Sequence, residues 1–403
     1  MGLIVQKFGG TSVGTPERMR KVAAKIANSY RQGHDLVVVV SAMGHTTDEL
    51  IELAQQVSQN PPHREMDMLL SAGERISMAL LSMALGDFGI PALSLTGSQS
   101  GIITDQSHRR ARIRRILGDR IRSALSEKKV VIVAGFQGVS ETKEITTLGR
   151  GGSDTSAVAL AIALKAKRCE IFTDVSGVYS ADPRVVSSPV LWSEIPHDLM
   201  VEMATRGAGV LHPRCVELAK QYRMELVVKT SLDTSESAGT TLVHRQPKDS
   251  KAGMEEFNVV GVTSDSTKMW VTLELARSTV VGEVWDRAAQ SHLPVIAPVF
   301  SGVQVSFYSD RDGKAEWEKI LQELVAQEFL RHYQVWQEIV PVSVVGDRFS
   351  QDGGALCGLM DVLNRHEIQV SAGCGSALAI TVGVSVHHAD DAVRALHAEF
   401  LER

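Results

Sequence analysis

Leu3-Ile4-Val5-Gln6-Lys7-Phe8-Gly9-Gly10-Thr11-Ser12-Val13-Gly14 is a short apolar strand that runs into a lysine, two glycines and two hydroxyls. A helix start follows at once, with Thr15 as N-cap and Pro16 at the first helical position. Strand, glycine turn and helix N-terminus together cradle phosphate, because free amides and the helix dipole both point at the anion. Here the lysine precedes the glycines; the Walker pattern places it after them, and Gly-Lys-Ser/Thr is absent. Taken alone, the stretch reads equally well as a buried first strand closed by a tight turn.

Outward from this start, apolar strands alternate with helical stretches as far as about residue 245. Leu3–Phe8, Leu36–Ser41, Val130–Gly135, Glu170–Asp174 and Glu225–Thr230 read as strands. Met66–Leu85, Ser156–Lys167 and Val216–Tyr222 read as helices between them. Runs such as Val37-Val38-Val39-Val40 have no polar alternation, so these strands are buried on both faces. That predicts an α/β domain with a mostly parallel sheet covered by helices.

Asp233–Glu256 is polar, rich in turn residues, and reads as a linker. Beyond it the pattern changes to strand Lys268–Ala276, helix Gly282–Ser291, strands Val295–Phe300 and Val303–Ser309, helix Trp317–Phe329 and strand His332–Val340. The series restarts with strand Pro341–Val345, helix Ala355–Arg365, strands Gln369–Ala372 and Leu378–Val386, and helix Asp391–Phe400. This is a tandem βαββαβ repeat of the ferredoxin-like type. The second copy is one strand short, and the unassigned strand Phe257–Thr263 is available to complete its sheet.

The bulk numbers suit such an assembly. At 403 residues, two or three domains are expected. The net charge of −5 offers no general attraction to nucleic acid or to an anionic membrane. The four cysteines are scattered without a Cys-x-x-Cys pair, which fits reduced thiols in a cytoplasm. The opening strand lacks the charged-then-apolar pattern expected of a signal peptide, and apolar runs such as Leu36–Val40 and Val130–Phe136 are far below membrane-spanning length.

Several motifs carry chemistry. Gly149-Arg150-Gly151-Gly152-Ser153-Asp154 precedes a helix and is a second glycine-rich anion site, with Arg150 offering a planar fork to a carboxylate. Two such loops in one α/β domain favour an active site over two surface turns. The strand ending at Thr173-Asp174 is followed by Tyr179-Ser180-Ala181-Asp182-Pro183-Arg184, and ligands sit outside the carboxyl ends of such strands. Glu74 is a carboxylate within an apolar helical stretch; burial requires a cationic partner, either an arginine of the fold or a substrate amine. His108–Arg122 holds seven arginines but no aromatics, and reads as a solvated or inter-subunit helix face. His212, beside Pro213, reads as packing.

Together Lys7–Val13, Gly149–Ser156, Phe172–Arg184 and Gly209–Arg214 resemble aspartokinases of the amino acid kinase family, as do Ser41-Ala42-Met43 and Leu69–Glu74. The resemblance implies a three-layer amino-acid-kinase fold over residues 1–245, followed by two ACT domains over 257–340 and 341–403. It implies phosphoryl transfer from ATP, with Mg2+, to L-aspartate, opening the route to lysine, threonine and methionine. Lys7, with Asp154 and Arg150, would be catalytic. Thr47, Glu74, Arg150, Gly152 and Ser153 would hold aspartate. Lys7, Phe8, Gly9, Gly10, Ser41, Thr173, Asp174, Tyr179, Asp182, Arg184 and Lys229 would face the nucleotide. No protein ligand for the metal is named. Retention of Lys7, Arg150 and Asp154 argues against a non-catalytic amino-acid sensor. The Lys-Phe-Gly-Gly-Thr-Ser opening and the repeat pair count against a glutamate or carbamate kinase.

The repeats depart from the family pattern. Arg277–Gly282 lacks the Pro-Gly pair common there, and Leu293-Pro294-Val295-Ile296-Ala297-Pro298 lacks the usual polar side chains. Gly353-Gly354 and Ser371-Ala372-Gly373-Cys374 in the second copy lack them too. Weak or absent inhibition by lysine and threonine is expected, with the ACT pair kept for a homodimer or larger assembly. The resemblance also offers Met254 as an internal start for a separate small subunit.

Overall fold

The computed structural model describes residues 2–232, 239–244, 258–347, 349 and 353–402. They form two compact units, each described in turn.

The first unit opens with β1 (Leu3–Phe8), α1 (Pro16–Arg31), β2 (Asp35–Val40), α2 (Thr46–Val57), α3 (His63–Asp87) and β3 (Ala92–Leu95). It continues through β4 (Ile102–Thr104), β5 (Ile113–Ile116), α4 (Asp119–Ser126), β6 (Val130–Ala134), β7 (Gln137–Ser140), β8 (Ile145–Thr147), α5 (Gly152–Ala163) and β9 (Arg168–Thr173). It closes with β10 (Glu194–Pro196), α6 (His197–Thr205), α7 (Pro213–Tyr222), β11 (Leu226–Thr230) and β12 (Thr240–Val243). Eight strands form one sheet in the order β10-β12-β11-β9-β1-β2-β6-β3, and only the β11–β12 pair is antiparallel. Val37, Val38, Val39 and Val40 have no exposed surface, as a strand covered on both faces requires.

Local chemistry starts α1 where the sequence predicts. The Thr15 hydroxyl accepts the Arg18 N–H at 3.3 Å, and Pro16 fills the first helical position. The helix turns Met19, Val22, Ala23 and Ile26 onto Ile4, Phe8, Leu36 and Val38. Alternation along the strands then sends Lys7 to the opposite face from Gln6 and Phe8.

Two expectations are corrected here. His108–Arg122 is not a helix face: its centre is β5, an edge of a small sheet ordered β5-β4-β7-β8, and α4 begins only after Gly118. Ile113 and Ile116 bracket the exposed Arg114 and Arg115, a spacing of three that imitates a helix and hides the strand. The linker also yields a strand, because Thr240–Val243 pairs with both β11 and β10. The rest of Asp233–Glu256, Met254 included, lies outside the described residues apart from Gly239 and His244.

The second unit contains β13 (Asn258–Ser264), β14 (Lys268–Leu275), α8 (Val281–Gln290), β15 (Ile296–Ser301), β16 (Gln304–Asp310), α9 (Lys314–Ala326) and β17 (Leu330–Trp336). It ends with β18 (Ile339–Asp347), α10 (Gly354–Arg365), β19 (Ala372–Gly375), β20 (Ala379–Ser385) and α11 (Ala389–Leu401). Two four-stranded sheets result, β15-β16-β14-β17 and β13-β18-β20-β19. β13, which precedes the first copy in sequence, pairs antiparallel with β18 of the second. Tyr179–Val190 and Thr205–Ala208 also group with this unit. Ala181 and Val186 sit in the core formed by Val342, Leu359, Val382, Val393 and Leu396.

Candidate active site

β3, β6, β2, β1, β9 and β11 run parallel, so their carboxyl ends share one edge, and the glycine loops of the sequence meet there. Lys7, near the end of β1, is 9% exposed, and its Nζ lies 2.6 Å from Asp154 Oδ1 in the first turn of α5. A buried ammonium needs such a partner. Asp154 also sits where the helix dipole favours negative charge. Gly151 caps α5 with φ +65°, and a Cβ there would lie 2.2 Å from the His212 ring, so only glycine fits. His212 itself N-caps α7, accepting the Arg214 N–H, a capping role in place of the packing expected of it.

The loop after β2 faces the same helix. Ser41 Oγ and Ser153 Oγ lie 2.8 Å apart. One residue on, the Ala42 N–H donates to Glu74 Oε1 at 3.1 Å. Gly73 lets α3 come this close, since a Cβ would stand 2.8 Å from that of Ala42. Glu74 Oε2 is buried and has no protein partner among the described residues. Burial pushes the Glu74 carboxyl up to about 7, with the Ala42 N–H acting against it. Of the two partners anticipated for Glu74, a fold arginine is not found among the described residues. Neighbouring Arg75 donates instead to Gln137 Oε1 at 3.4 Å.

Other anticipated site residues are placed differently. Phe8 has no exposed surface; its ring stacks on Phe172 at 4.6 Å and is unavailable to a nucleotide. The Gly9 N–H is committed to the Phe172 carbonyl at 3.3 Å, while Gly10 follows it in the turn. Thr47 is half-buried near the start of α2, Gly152 is buried, and Arg150 is exposed. Thr173 donates to Asp174 at 3.0 Å. Lys229 is on the sheet face opposite Lys7, 3.0 Å from Glu170. Burial alone would raise the Glu170 carboxyl, but Lys229, with the Gln6 amide and Arg168, holds it below the usual range. Tyr179, Asp182 and Arg184 belong to the second unit, where Arg184 holds the Asp182 carboxyl low through a two-point hydrogen bond.

One residue escaped sequence reading. Asp67 is fully buried and accepts from the Arg109 N–H at 3.0 Å, Thr147 Oγ1 at 2.6 Å and His108 Nδ1 at 2.7 Å. It ties the arginine-rich turn to the strand that leads into Gly149–Asp154. Arg214 adds bonds to the Leu148 and Ala111 carbonyls. The signal was the one that marked Glu74, an acid in an apolar helical run, seven residues earlier.

A buried lysine paired at the N-terminus of α5, and a buried carboxylate with one open oxygen, together suit transfer of an anionic group to a zwitterionic acceptor. Among the described residues, no group of three acidic, His or Cys side chains is arranged to hold a metal.

Comparison with known proteins agrees. A family model described as "Amino acid kinase family" matches residues 2–230. An aspartokinase of Geobacillus stearothermophilus is 42% identical over 421 aligned residues, covering 99% of this chain and 97% of the relative. The structure of E. coli aspartokinase III in complex with aspartate and ADP, described as the R-state, superposes with a TM-score of 0.87 at 25% identity, covering 100% of both chains. That protein in complex with lysine and aspartate, described as the T-state, gives 0.72 at 25% identity and 99% coverage of both.

Proposed function

The chain belongs to the amino acid kinase family and, within it, to the aspartokinases, and on that premise we propose how its residues transfer a phosphoryl group from ATP to L-aspartate, giving 4-phospho-L-aspartate and ADP. The acceptor carboxylate has an ordinary pKa of about 3.9 and is already ionised at neutral pH, so no general base is needed. The obstacle is repulsion between an anionic nucleophile and a polyanionic donor. Catalysis then consists of positioning and of charge placed where it develops.

Lys7 neutralises charge on the transferring group, and Asp154 holds the Lys7 ammonium in place. Glu74 receives the aspartate ammonium on its open oxygen, and Arg150 receives a carboxylate, with Thr47, Gly152 and Ser153 completing the acceptor site. Gly10, Ser41, Thr173, Asp174, Tyr179, Asp182 and Arg184 serve the nucleotide, while Phe8 and Gly9, whose backbone groups are bonded within the protein, shape the turn that carries Gly10. Lys229 is assigned to the same site from the resemblance, and its bond to Glu170 would have to be shared or exchanged. Magnesium would be held chiefly by nucleotide phosphates and water, and supplies charge neutralisation there.

The single observation that carries the acceptor assignment is Glu74 Oε2, buried without a partner beside the Lys7–Asp154 loops. An orphaned buried carboxylate oxygen is costly, and a substrate ammonium removes that cost. ADP release measured with aspartate, glutamate and carbamate tests the reading: turnover is expected with aspartate, and preference for either other acceptor would overturn it.

We further propose that lysine and threonine inhibit weakly or not at all, and that the repeats serve a homodimer or larger assembly. In support, β15 is an edge strand broken between Ile296 and Val299, with Ala297 at φ +50° and prolines on either side of Val295–Ala297. That segment offers no side-chain acceptor to an effector ammonium. The cytoplasm is the proposed compartment, supported by four cysteines that form no disulfide.

A further inference from the structure

Within the second unit, the segment that carries Tyr179, Asp182 and Arg184 is a preformed turn. Asp182 accepts the Arg184 N–H through Oδ1, and its carbonyl accepts the Val185 and Val186 N–H groups, both at 2.9 Å. What remains to be set is how this turn is held, and the holding is done largely by α11.

Ser180 and His397 have no exposed surface, and Ser180 Oγ lies 2.8 Å from His397 Nε2. His397 Nδ1 lies 2.9 Å from Glu402 Oε1. The carboxylate can only accept, so Nδ1 carries a proton, and in the neutral ring Nε2 accepts the serine hydroxyl. Ser180 Oγ in turn accepts the Val190 N–H at 2.8 Å, closing the far end of the segment. Arg394 of the same helix donates to the Val185 carbonyl at 3.4 Å, and Val393 and Leu396 share a core with Ala181 and Val186. The order serine, histidine, carboxylate is that of a hydrolase nucleophile. Here, though, Ser180 Oγ is enclosed and already accepts a backbone N–H, so no substrate reaches it.

We propose that His397 is a positioning residue for the nucleotide, fixing through Ser180 the turn that presents Tyr179, Asp182 and Arg184. The inference rests on the assignment of those three residues to the nucleotide. Loss of either partner leaves a buried polar group unpaired, and the segment relieves this by shifting its attachment. The effect should then fall on ATP rather than on the acceptor.

Initial-rate kinetics on the full-length protein test this with His397→Leu, Ser180→Ala, the double variant and His397→Gln. Removing the bond should raise KM for ATP about five- to tenfold, the range of one buried hydrogen bond, with kcat and the aspartate KM within about twofold. The double variant should be no worse than Ser180→Ala alone, because that change already removes the bond to His397. His397→Gln, whose amide oxygen can accept from Ser180, should recover most of the ATP affinity. An unchanged ATP KM in Ser180→Ala, or a loss spread equally over kcat and both KM values, would overturn the proposal. Ser180→Ala decides the matter if His397→Leu does not fold. Tyr179→Ala separates the two levels. If it raises the ATP KM while Ser180→Ala does not, the clamp alone fails; if it has no effect, the assignment beneath the clamp fails as well.

Discussion

The two units spend their polar groups differently. In the first, Lys7, Asp154 and Glu74 are buried at one edge of a parallel sheet, where burial makes each charge costly and strongly interacting. In the second, β14 buries Met269, Val271, Leu273 and Leu275 in an apolar core, and β13, β18 and β20 are buried along nearly their whole length. The repeat segments for which weak effector binding is proposed above carry Val280, Val281, Pro294 and Ala297. A chemical site is recognised by charges held against their solvation preference. By that measure the first unit contains one.

The sharpest way to break this contrast is Lys7→Ala. It should lower kcat on the order of 10²-fold or more, because it removes charge at the transferring group, and near-normal turnover would remove Lys7 from that role. Next in size is Glu74→Gln. It should raise KM for aspartate about thirtyfold by weakening a charge-assisted contact, with ATP little affected. The same variant should be more stable than the parent. The Glu74 carboxyl sits near 7 in the fold against 4.5 ordinarily, so its contribution to stability is present below 4.5 and lost as pH rises through 7. Replacing it with a neutral amide should gain on the order of 2 kcal/mol at pH 8, shrinking as pH falls toward 4.5, as read by chemical denaturation. Arg150→Ala should weaken aspartate about tenfold and ATP less. The smallest effect belongs to the second unit: lysine and threonine, singly or together, should change the rate less than about twofold, a coupling below the usual allosteric range. Inhibition at micromolar effector would show that the substituted loops still bind.

Legibility in the sequence followed periodicity and local capping. Thr15-Pro16 marked α1, and the valine run of β2 marked the parallel sheet, because both signals are local. The strands β3, β4, β5, β7, β8 and β10 were missed; each is three or four residues long, too short for a period to register. β12 was hidden because Thr240–Val243 is a small apolar island in a polar stretch. In the site, Lys7 and Asp154 were read as a pair, and the fold brings them to 2.6 Å. Phe8 was misread for a geometric reason: alternation along β1 turns it away from the face that Lys7 occupies. Lys229 lies opposite Lys7 by the same rule. Asp67 was overlooked because nothing in its own neighbourhood shows that it will hold the turn at His108 and Arg109 and the end of β8 at Thr147.

The central claim is that Glu74 waits, half-protonated, for the ammonium of aspartate. Isothermal titration of aspartate in the presence of ADP, repeated in buffers of different ionisation enthalpy, counts protons released on binding. At pH 7 the account predicts release of about half a proton, falling toward zero by pH 9, and none from Glu74→Gln. Binding without proton release, or the same release from the Glu74→Gln protein, would contradict it.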